Sequence, residues 1–464
     1  MDRLPEELLV AVFKIHVWCN SDSPQRLLRV CRRWQNIANN TGSLWGDIIF
    51  QDEEAYKRTL HTDRSLDHKT RCDSIKSLAS AIERTKASKF ELIIDFTLPD
   101  PSSPYNFELL NPSWFSDRCR ALTIYKFDLF PEALSNLAAL ERLDINLGYA
   151  RMPPTALLEA VERTSPLLWH LRSRGLECVA FSKYPKLAAR LTLLELIIDY
   201  INSGFRLDLA PCSSLETLIW KARYIGTQPH INGPFPPKLH TLSTTSALLV
   251  LNPHELYSGL STLSYSTGTS PGLGRTYEFP VLQNLEINGS WNSLADIRAP
   301  SLQNLVLLDR INGRDILKRY DNIGRLKKIL LRPKKLDIDV RLSEAVLRSL
   351  LSTIGEDLED LHIIYVEPGL TLQSPLVQGF FGMKTCPPVC TMLRRLTVIS
   401  TIKRNSKRTP GTRLRAEERL KKIADARVGG GILERVRYGW CQYGGSREHP
   451  IRDETMEWSQ ISAR

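Results

Sequence analysis

Residues 282–287 read LQNLEI and residues 302–307 read LQNLVL, so one hexad with leucine or isoleucine at positions one, four and six occurs twice. Further copies, some with substitutions, begin at Leu140, Leu193, Leu215, Leu239, Leu260, Leu326, Leu358 and Leu393. From Leu193 to Leu326 the copies fall roughly 20 to 24 residues apart, and the later intervals lengthen to about 32 and 35. Such a period indicates a repeat architecture, in which each unit packs mainly against its neighbours.

The hexad itself explains where its residues lie. In a strand, successive side chains point to opposite faces, so the apolar positions enter a shared core and the residues between them face outward. The long intervals leave room for return helices such as Ser343 to Ile354, whereas Pro- and Gly-rich returns such as Gly226 to Pro237 are too short for one. We therefore expect a parallel sheet built from stacked strands, and an α/β fold.

This array resembles degenerate leucine-rich repeats. The resemblance implies a solenoid with the parallel sheet on its concave face, although the asparagine that many such repeats carry is mostly absent, with Asn146 and Asn288 coming close. The alternative is an ordinary leucine-rich α/β domain in which the hexads occur by chance.

The stretch from Leu4 to Phe50 has a different pattern, typical of three short helices. Each predicted helix carries an apolar group: Leu8, Leu9, Val12 and Phe13; then Leu27, Cys31, Trp34 and Ala38; then Leu44, Trp45, Ile48 and Ile49. Pro5, Glu6 and Glu7 are suited to the first turn of the first helix. A module of about fifty residues buries little surface, so we expect it to need a partner.

The three blocks Leu4-Pro5-x-Glu7-Leu8, Val30-Cys31-Arg-Arg-Trp34 and Leu44-Trp45 resemble an F-box, and the whole chain resembles the divergent F-box proteins of mushroom-forming fungi. The resemblance implies docking on a Skp-type adaptor that leads to a cullin and a RING ubiquitin ligase. The matching residues are Leu4, Pro5, Leu8, Val30, Cys31, Trp34, Ile37, Leu44 and Trp45. Which of them face the adaptor and which form the internal core stays open, and an ordinary N-terminal helical cap is the alternative.

The outward residues of the hexads form the second candidate surface. We expect a protein substrate to contact Asp144, Asn146, Glu286, Asn288, Lys328, Arg332 and Arg395. The last three make the C-terminal part of this surface basic, which suits an acidic or phosphorylated segment. A solvated face without a partner preference is the competing interpretation.

The pattern divides the chain into an F-box at 1–50, a polar linker at 51–71, the repeat array at 72–438 and a partly disordered tail at 439–464. The net charge of +11 is concentrated in one segment, since Lys403 to Arg437 carries about twelve basic and four acidic residues. This segment makes a nucleic-acid-binding repeat protein the first alternative function.

Composition excludes several other classes. No apolar run reaches the roughly 18 residues of a membrane span, and the N-terminus lacks a secretory signal, so we expect a cytoplasmic or nuclear protein. Nine scattered cysteines fit free thiols, and the pair Cys386 and Cys390 lacks a matching second half for zinc. No phosphate-binding loop, nucleophile elbow or zinc-protease motif occurs, so the sequence predicts a binding protein without a cofactor and not an enzyme.

The hypothesis from sequence is therefore a substrate-receptor subunit of a Skp-cullin-F-box ubiquitin ligase. Its other alternative is an interaction scaffold that pairs with the adaptor but works independently of ubiquitin transfer.

Overall fold

The computed structural model describes residues 4–20, 24–51, 70–95, 117–125, 137–146, 154–174, 181–201, 206–225, 230–232, 235–245, 257–267, 276–289, 294, 297–308, 329–339, 344–363, 390–403, 435–443 and 450–459. The chain divides into two compact units, Met1–Leu239 and His240–Arg464. Each unit contains strands that pair in parallel, and helices occur in both, so the mixed α/β class with a parallel sheet is confirmed.

The N-terminal unit begins with four short helical segments. They are α1 (Glu6–Asn20), a 3-10 helix (Pro24–Arg29), α2 (Arg32–Asn40) and a second 3-10 helix (Gly42–Trp45). Apolar side chains from all four pack into one cluster: Leu9, Phe13, Val17, Leu27, Ile37, Ala38, Leu44 and Trp45. This cluster supplies the small core that the apolar pattern predicts.

The second and third predicted helices differ from the observed segments. Cys31 has an extended backbone, with φ −161° and ψ 166°, and its Sγ accepts a hydrogen bond from the Trp34 N–H at 3.5 Å. An extended capping residue starts a new helix, so the predicted helix that carries Leu27, Cys31, Trp34 and Ala38 is split in two. The third segment is a 3-10 turn that leads directly into a strand, because Ile48 and Ile49 pair with the sheet.

The sheet of the N-terminal unit is entirely parallel. Its strands are β1 (Asp47–Gln51), β2 (Thr70–Cys72), β3 (Phe90–Asp95), β4 (Cys119–Tyr125), β5 (Arg142–Asn146), β6 (His170–Arg174), β7 (Leu193–Ile201) and β9 (Thr217–Ile225). They pair in the order β2-β1-β3-β4-β5-β6-β7-β9. Two short strands, β8 (Arg206–Asp208) and β10 (His230–Asn232), form a separate parallel pair.

Helices connect some of these strands. They are α3 (Ile75–Arg84), α4 (Pro154–Thr164), a 3-10 helix (Phe181–Lys183) and α5 (Pro185–Arg190). In α3, Leu78 and Ile82 are buried on the inner face of the helix. Ser74 caps α3 by accepting from the Ser77 N–H, which explains where the helix begins.

The C-terminal unit has the same architecture. Its main strands are β11 (Thr241–Thr244), β12 (Thr262–Thr267), β14 (Asn284–Gly289), β16 (Asn304–Leu308), β17 (Lys335–Asp339), β18 (Asp360–Ile363), β19 (Arg395–Lys403) and β20 (Arg435–Tyr443), which pair in parallel in that order. The strands β13 (Tyr277–Glu278) and β15 (Ile297–Arg298) form a small second sheet. The helix α6 (Glu344–Ile354) lies where the sequence predicts one.

The last strand runs in the opposite direction. β21 (Pro450–Ser459) pairs antiparallel with β20. Both strands contain residues of the segment 439–464, for which the sequence predicts partial disorder.

The hexads align across neighbouring strands. Leu143, Leu171, Leu194 and Leu218 are in register in the N-terminal unit, and Leu242, Leu263, Leu285, Leu305, Leu336, Leu361 and Leu396 are in register in the C-terminal unit. All of them are buried. The fourth position of each hexad therefore forms one continuous apolar row within each unit.

The first leucine of the hexad ends a tight turn. The Leu282 N–H donates to the Phe279 carbonyl at 3.3 Å, and the same bond recurs between Leu302 and Ala299 at 3.2 Å. The Ser261 carbonyl accepts hydrogen bonds from two successive N–H groups of the copy that begins at Leu282. These are the N–H groups of Gln283, at 2.9 Å, and Asn284, at 3.0 Å. These recurring bonds satisfy the backbone where each strand begins.

Two predicted hexads have the wrong register. The copy predicted to begin at Leu193 begins at Leu191, because Leu194 is the residue that aligns with Leu171 and Leu218. The copy that begins at Leu326 places a strand at 329–331, but β17 begins at Lys335, and Pro333, Leu336 and Ile338 hold the buried positions. A proline at the first position hid this copy from a search for leucine. The structure also adds β4 and β6, and β6 was missed because its sixth position is Ser173, which is fully buried.

Candidate functional site

The outer face of α1 carries the most prominent exposed apolar side chains of the N-terminal helices. We call Leu4, Leu8, Val12 and Ile15 the α1 ridge, which includes Leu4 just before the helix; these side chains are 37%, 53%, 45% and 61% exposed. Residues three or four apart lie on one face of a helix, so they form a continuous stripe. Leu9, Phe13 and Val17 occupy the opposite, buried face. The helix therefore presents apolar surface on two sides, and only one side is covered.

The nine predicted adaptor residues fall into two groups. Leu4, Pro5, Leu8, Val30 and Cys31 are exposed, Trp34 is partly buried, and Ile37, Leu44 and Trp45 are buried. The motif thus contains both surface and core positions. Val12 and Ile15 belong to the exposed face, although the sequence assigns Val12 to the same stripe as the buried Phe13 and does not select Ile15. Their spacing from Leu8 is the signal that identifies them.

Trp45 is an internal residue of the module. It is fully buried, and its Nε1–H donates to the Ala38 carbonyl at 2.9 Å. The Arg84 guanidinium lies 4.9 Å from its ring centre, which is a cation–π distance. Trp34 packs against Phe13, with ring centres 4.6 Å apart. Both tryptophans therefore stabilise the module from within.

Close contacts join the helices to the sheet of the same unit. A Cβ built on Gly42 would lie 2.2 Å from the Thr85 carbonyl oxygen, so only glycine fits there without movement. The Glu91 N–H donates to the Gly46 carbonyl at 2.6 Å, and Lys86 Nζ donates to Asn40 at 2.8 Å. Because β1 follows immediately and pairs with β2 and β3, the α1 ridge belongs to a body that includes the start of the sheet.

The outward face of the N-terminal sheet carries paired charges. Arg172 lies 3.4 Å from both Asp144 and Glu195, and Glu91 pairs with Arg142 and with Arg120. The pKa of Asp144 is raised to about 6, chiefly by burial; the Arg172 charge opposes this rise and the Glu195 charge adds to it. Burial, together with the charges of Arg142 and Arg172, lowers the pKa of His170. Asp144 and Asn146 thus lie on the predicted face.

Hydrogen-bonded polar side chains occupy the outward face of the central strands of the C-terminal sheet. Asn304 Nδ2 donates to Asn284 Oδ1 at 2.6 Å, and Asn284 Nδ2 donates to Thr262 Oγ1 at 3.3 Å, so three strands share a ladder of polar side chains. Glu286 and Asn288 lie on the same face of β14 and are half-buried.

The predicted basic end of this sheet is neutralised by carboxylates. Arg395 pairs with Asp360 at 3.5 Å, and Lys335 pairs with Asp337 at 3.2 Å. Burial raises the pKa of Asp337, but hydrogen bonds from His362 and Lys335 lower it below its usual range. Arg332 is not on the strand face: it precedes β17 and pairs with Glu356 at 2.7 Å. Lys328 lies outside the described residues.

The cysteines of the described residues are mostly buried. Among the described residues, no three His, Cys, Asp or Glu side chains converge as metal ligands. Burial raises the pKa of the Cys72, Cys212 and Cys390 thiols to about 12 in each case, whereas Cys31 is exposed. No helix in the described ranges has the length and apolar character needed to cross a bilayer.

The comparisons with known proteins identify the N-terminal module. Residues 1–51 match the family described as F-box-like. The match ends at Gln51, the last residue of β1. Nothing among the curated proteins matches the chain significantly.

Proposed function

We propose, from the F-box-like domain at residues 1–51, that this chain is the substrate-receptor subunit of a Skp-cullin-F-box ubiquitin ligase. In this proposal the F-box-like domain docks on a Skp-type adaptor and the outward faces of the sheets recruit a protein substrate. F-box domains generally serve as adaptors, so catalysis would belong to the partners. The receptor contributes by holding a substrate close to a charged ubiquitin-conjugating enzyme.

The α1 ridge is the observation that carries this proposal. Exposed apolar side chains that form one contiguous stripe mark interaction sites on soluble proteins. Val30 and Cys31, both exposed, add to the apolar surface of the same small module. The module has its own buried cluster, so the ridge is not required for its internal packing. An adaptor that covers the ridge would also supply the burial that so small a module lacks.

The in-register hexads support the second half of the proposal. We infer that they are degenerate leucine-rich repeats and that the array is a solenoid. Recurring turns, buried leucine rows and outward polar positions are the features that such repeats share. A sheet face of this kind offers side chains from several strands to one extended or folded partner.

The test compares two leucines of equal exposure. Leu8 and Leu167 are both 53% exposed, but Leu8 belongs to the α1 ridge and Leu167 to the turn before β6. Leu8→Glu should weaken binding of the full chain to a Skp-type adaptor at least ~30-fold. The substitution replaces an apolar contact by a charge that loses its water on binding, which costs about 2 kcal/mol or more of binding free energy. Leu167→Glu should bind as the wild type does. Binding is measured by titration with the purified adaptor.

The outcomes separate folding from docking. Glutamate is a good helix former and is favourable near the start of a helix, so Leu8→Glu should keep its fold. Unchanged adaptor affinity of a folded Leu8→Glu chain would refute the docking surface. Deletion of residues 1–50 is a poorer test, because it removes most of β1 and with it the buried Ile48 and Phe50.

Two alternatives have their own readouts. Transfer of ubiquitin to a captured partner in the assembled complex distinguishes a ligase receptor from a scaffold. A nucleic-acid-binding protein would instead show affinity that falls steeply with salt. Most of the basic segment Lys403 to Arg437 lies outside the described residues, and the described sheet faces carry paired charges.

A further inference from the structure

Glu286 differs from the neighbouring acidic residues of the C-terminal sheet. Its side chain is half-buried on the outward face of β14. Within the described residues, no lysine, arginine or histidine nitrogen approaches its carboxylate to ion-pair distance. Asp337 and Asp360, on the next strands of the same face, both have a basic partner. A carboxylate that is half-buried and unpaired is incompletely compensated for the water it has lost.

The residues around Glu286 supply no charge. Ser264 is its in-register neighbour on one side, and Val306 is its neighbour on the other. Asn284 already takes part in the ladder from Asn304 to Thr262, so its amide is held in place by neighbouring strands. The side chains next to the Glu286 carboxylate are therefore uncharged, and the Asn284 amide among them is fixed by hydrogen bonds.

An apolar strip lies directly beside this carboxylate. Val306 and Leu308 occupy the outward face of β16 and are half-buried, whereas outward positions on the described strands nearby are polar. Adjacent strands are about 5 Å apart, so Glu286 and Val306 lie side by side. The surface therefore combines the Glu286 carboxylate with an adjoining aliphatic patch formed by Val306 and Leu308.

We propose that this surface binds a lysine or arginine side chain of a protein partner. The aliphatic stem of such a residue would lie on Val306 and Leu308 while its basic head pairs with Glu286, which is how long basic side chains cover apolar surface. The inference rests on the proposed function in one respect, since it gives the substrate class that the receptor takes on this face. A basic segment, not an acidic one, is then the ligand.

Charge complementarity decides against the other candidates. A phosphorylated segment or a nucleic acid would bring its negative charge to an unpaired carboxylate, which is unfavourable. Arg332 and Arg395, which the sequence predicts to contact an acidic segment, are already paired with carboxylates. The only ligand charge that Glu286 favours is positive.

The experiment uses a random peptide library and the full chain in complex with its adaptor. Bound peptides are sequenced, and the frequency of lysine and arginine is compared with the input. We expect at least ~3-fold enrichment of basic residues for the wild type, no enrichment for Glu286→Gln, and enrichment of Asp and Glu for Glu286→Lys. Glu278→Gln is the matched control, because Glu278 is an exposed carboxylate on β13, outside this face.

The outcomes decide the inference independently of adaptor binding. Basic enrichment that survives in Glu286→Gln, or a wild type that selects acidic peptides or none, overturns it. Loss of enrichment in Glu278→Gln as well would also overturn it, since the effect would then be unspecific. The adaptor titration is read separately, so its failure counts against the proposed function and the peptide result still decides the ligand class.

Discussion

At the scale of single residues, one charge cluster lies on the outward face of the N-terminal sheet: Arg172 is between the carboxylates of Asp144 and Glu195 from the two adjacent strands. Both carboxylates are largely shielded from water. Two carboxylates around one guanidinium leave a net negative charge, and burial makes that charge costly. The carboxyl group of Asp144 therefore holds its proton at higher pH than usual.

This pKa shift predicts a pH-dependent stability. The pKa of Asp144 is raised from 3.8 to about 6, so the folded chain binds this proton more tightly than the unfolded chain does. The resulting stabilisation is complete below 3.8 and is lost as the pH rises through 6. Relative to Asp144→Asn, the wild type should lose about 2 kcal/mol of unfolding free energy between about pH 4.5 and pH 7.5.

Denaturant titrations of both chains at the two pH values measure this difference. Other groups titrate in both chains and cancel in the comparison. A difference between the wild type and Asp144→Asn that is the same at both pH values would contradict the raised pKa.

At the scale of elements, the junction between the second 3-10 helix and α3 fixes the F-box-like domain to the sheet. Gly42 approaches the Thr85 carbonyl too closely for any side chain, and Thr85 ends α3. Trp45 and Arg84 stack across the same junction. These contacts explain why a module that is marginal alone is placed directly against the first strands.

The junction predicts opposite effects for two glycines. Gly42→Ala should lower the unfolding free energy by about 1–3 kcal/mol, because its new methyl group would press on the backbone of Thr85. Gly46→Ala should be neutral or slightly stabilising, since Gly46 has helical φ −69° and ψ −15° and its Cβ would meet no atom closer than 3.4 Å. Denaturant unfolding of the two variants checks the pair. Equal destabilisation by both would show that the junction is not tightly packed.

At the scale of the whole molecule, the two units have the same kind of core but different exposed surfaces. In each, buried leucine rows hold a parallel sheet, and the outward positions vary. The N-terminal unit adds the α1 ridge, which is apolar, whereas the described sheet faces are polar with a few apolar positions. In the proposed function, the ridge is the surface for the adaptor and the sheet faces are the surfaces for a substrate.

The ridge predicts that a Skp-type adaptor stabilises the full chain. A partner that binds only the folded state adds about 2.7 kcal/mol when it is present at a hundred times its dissociation constant, so the melting temperature should rise. Leu8→Glu should lose this rise at the same adaptor concentration, and Leu167→Glu should keep it. Thermal unfolding with and without the adaptor is the measurement. An equal rise for both variants would place the adaptor elsewhere on the chain.

The sequence predicted the buried leucine rows well, but it predicted poorly the copies of the hexad in which another residue replaces a leucine. Leu285 and Leu305 are buried in register as their hexads indicate, because alternation in a strand is a local property. Leu168 to Ser173 and Pro333 to Ile338 were missed or misplaced, since the stack tolerates a serine or a proline at a position that leucine usually holds. A search by residue type cannot find such copies, but their strand pairing does.

By itself, the sequence determined the hexad period, the mixed α/β class and the F-box-like motif, since each depends on residue spacing along the chain. Only the tertiary structure decided that Leu8 is exposed while Trp45 is internal, and that Arg395 is paired while Glu286 is not. Those facts depend on which elements meet across large separations in sequence. Burial and ion pairing depend on the neighbours of a residue in space. The identity of a residue in a sequence motif does not reveal which neighbours those are.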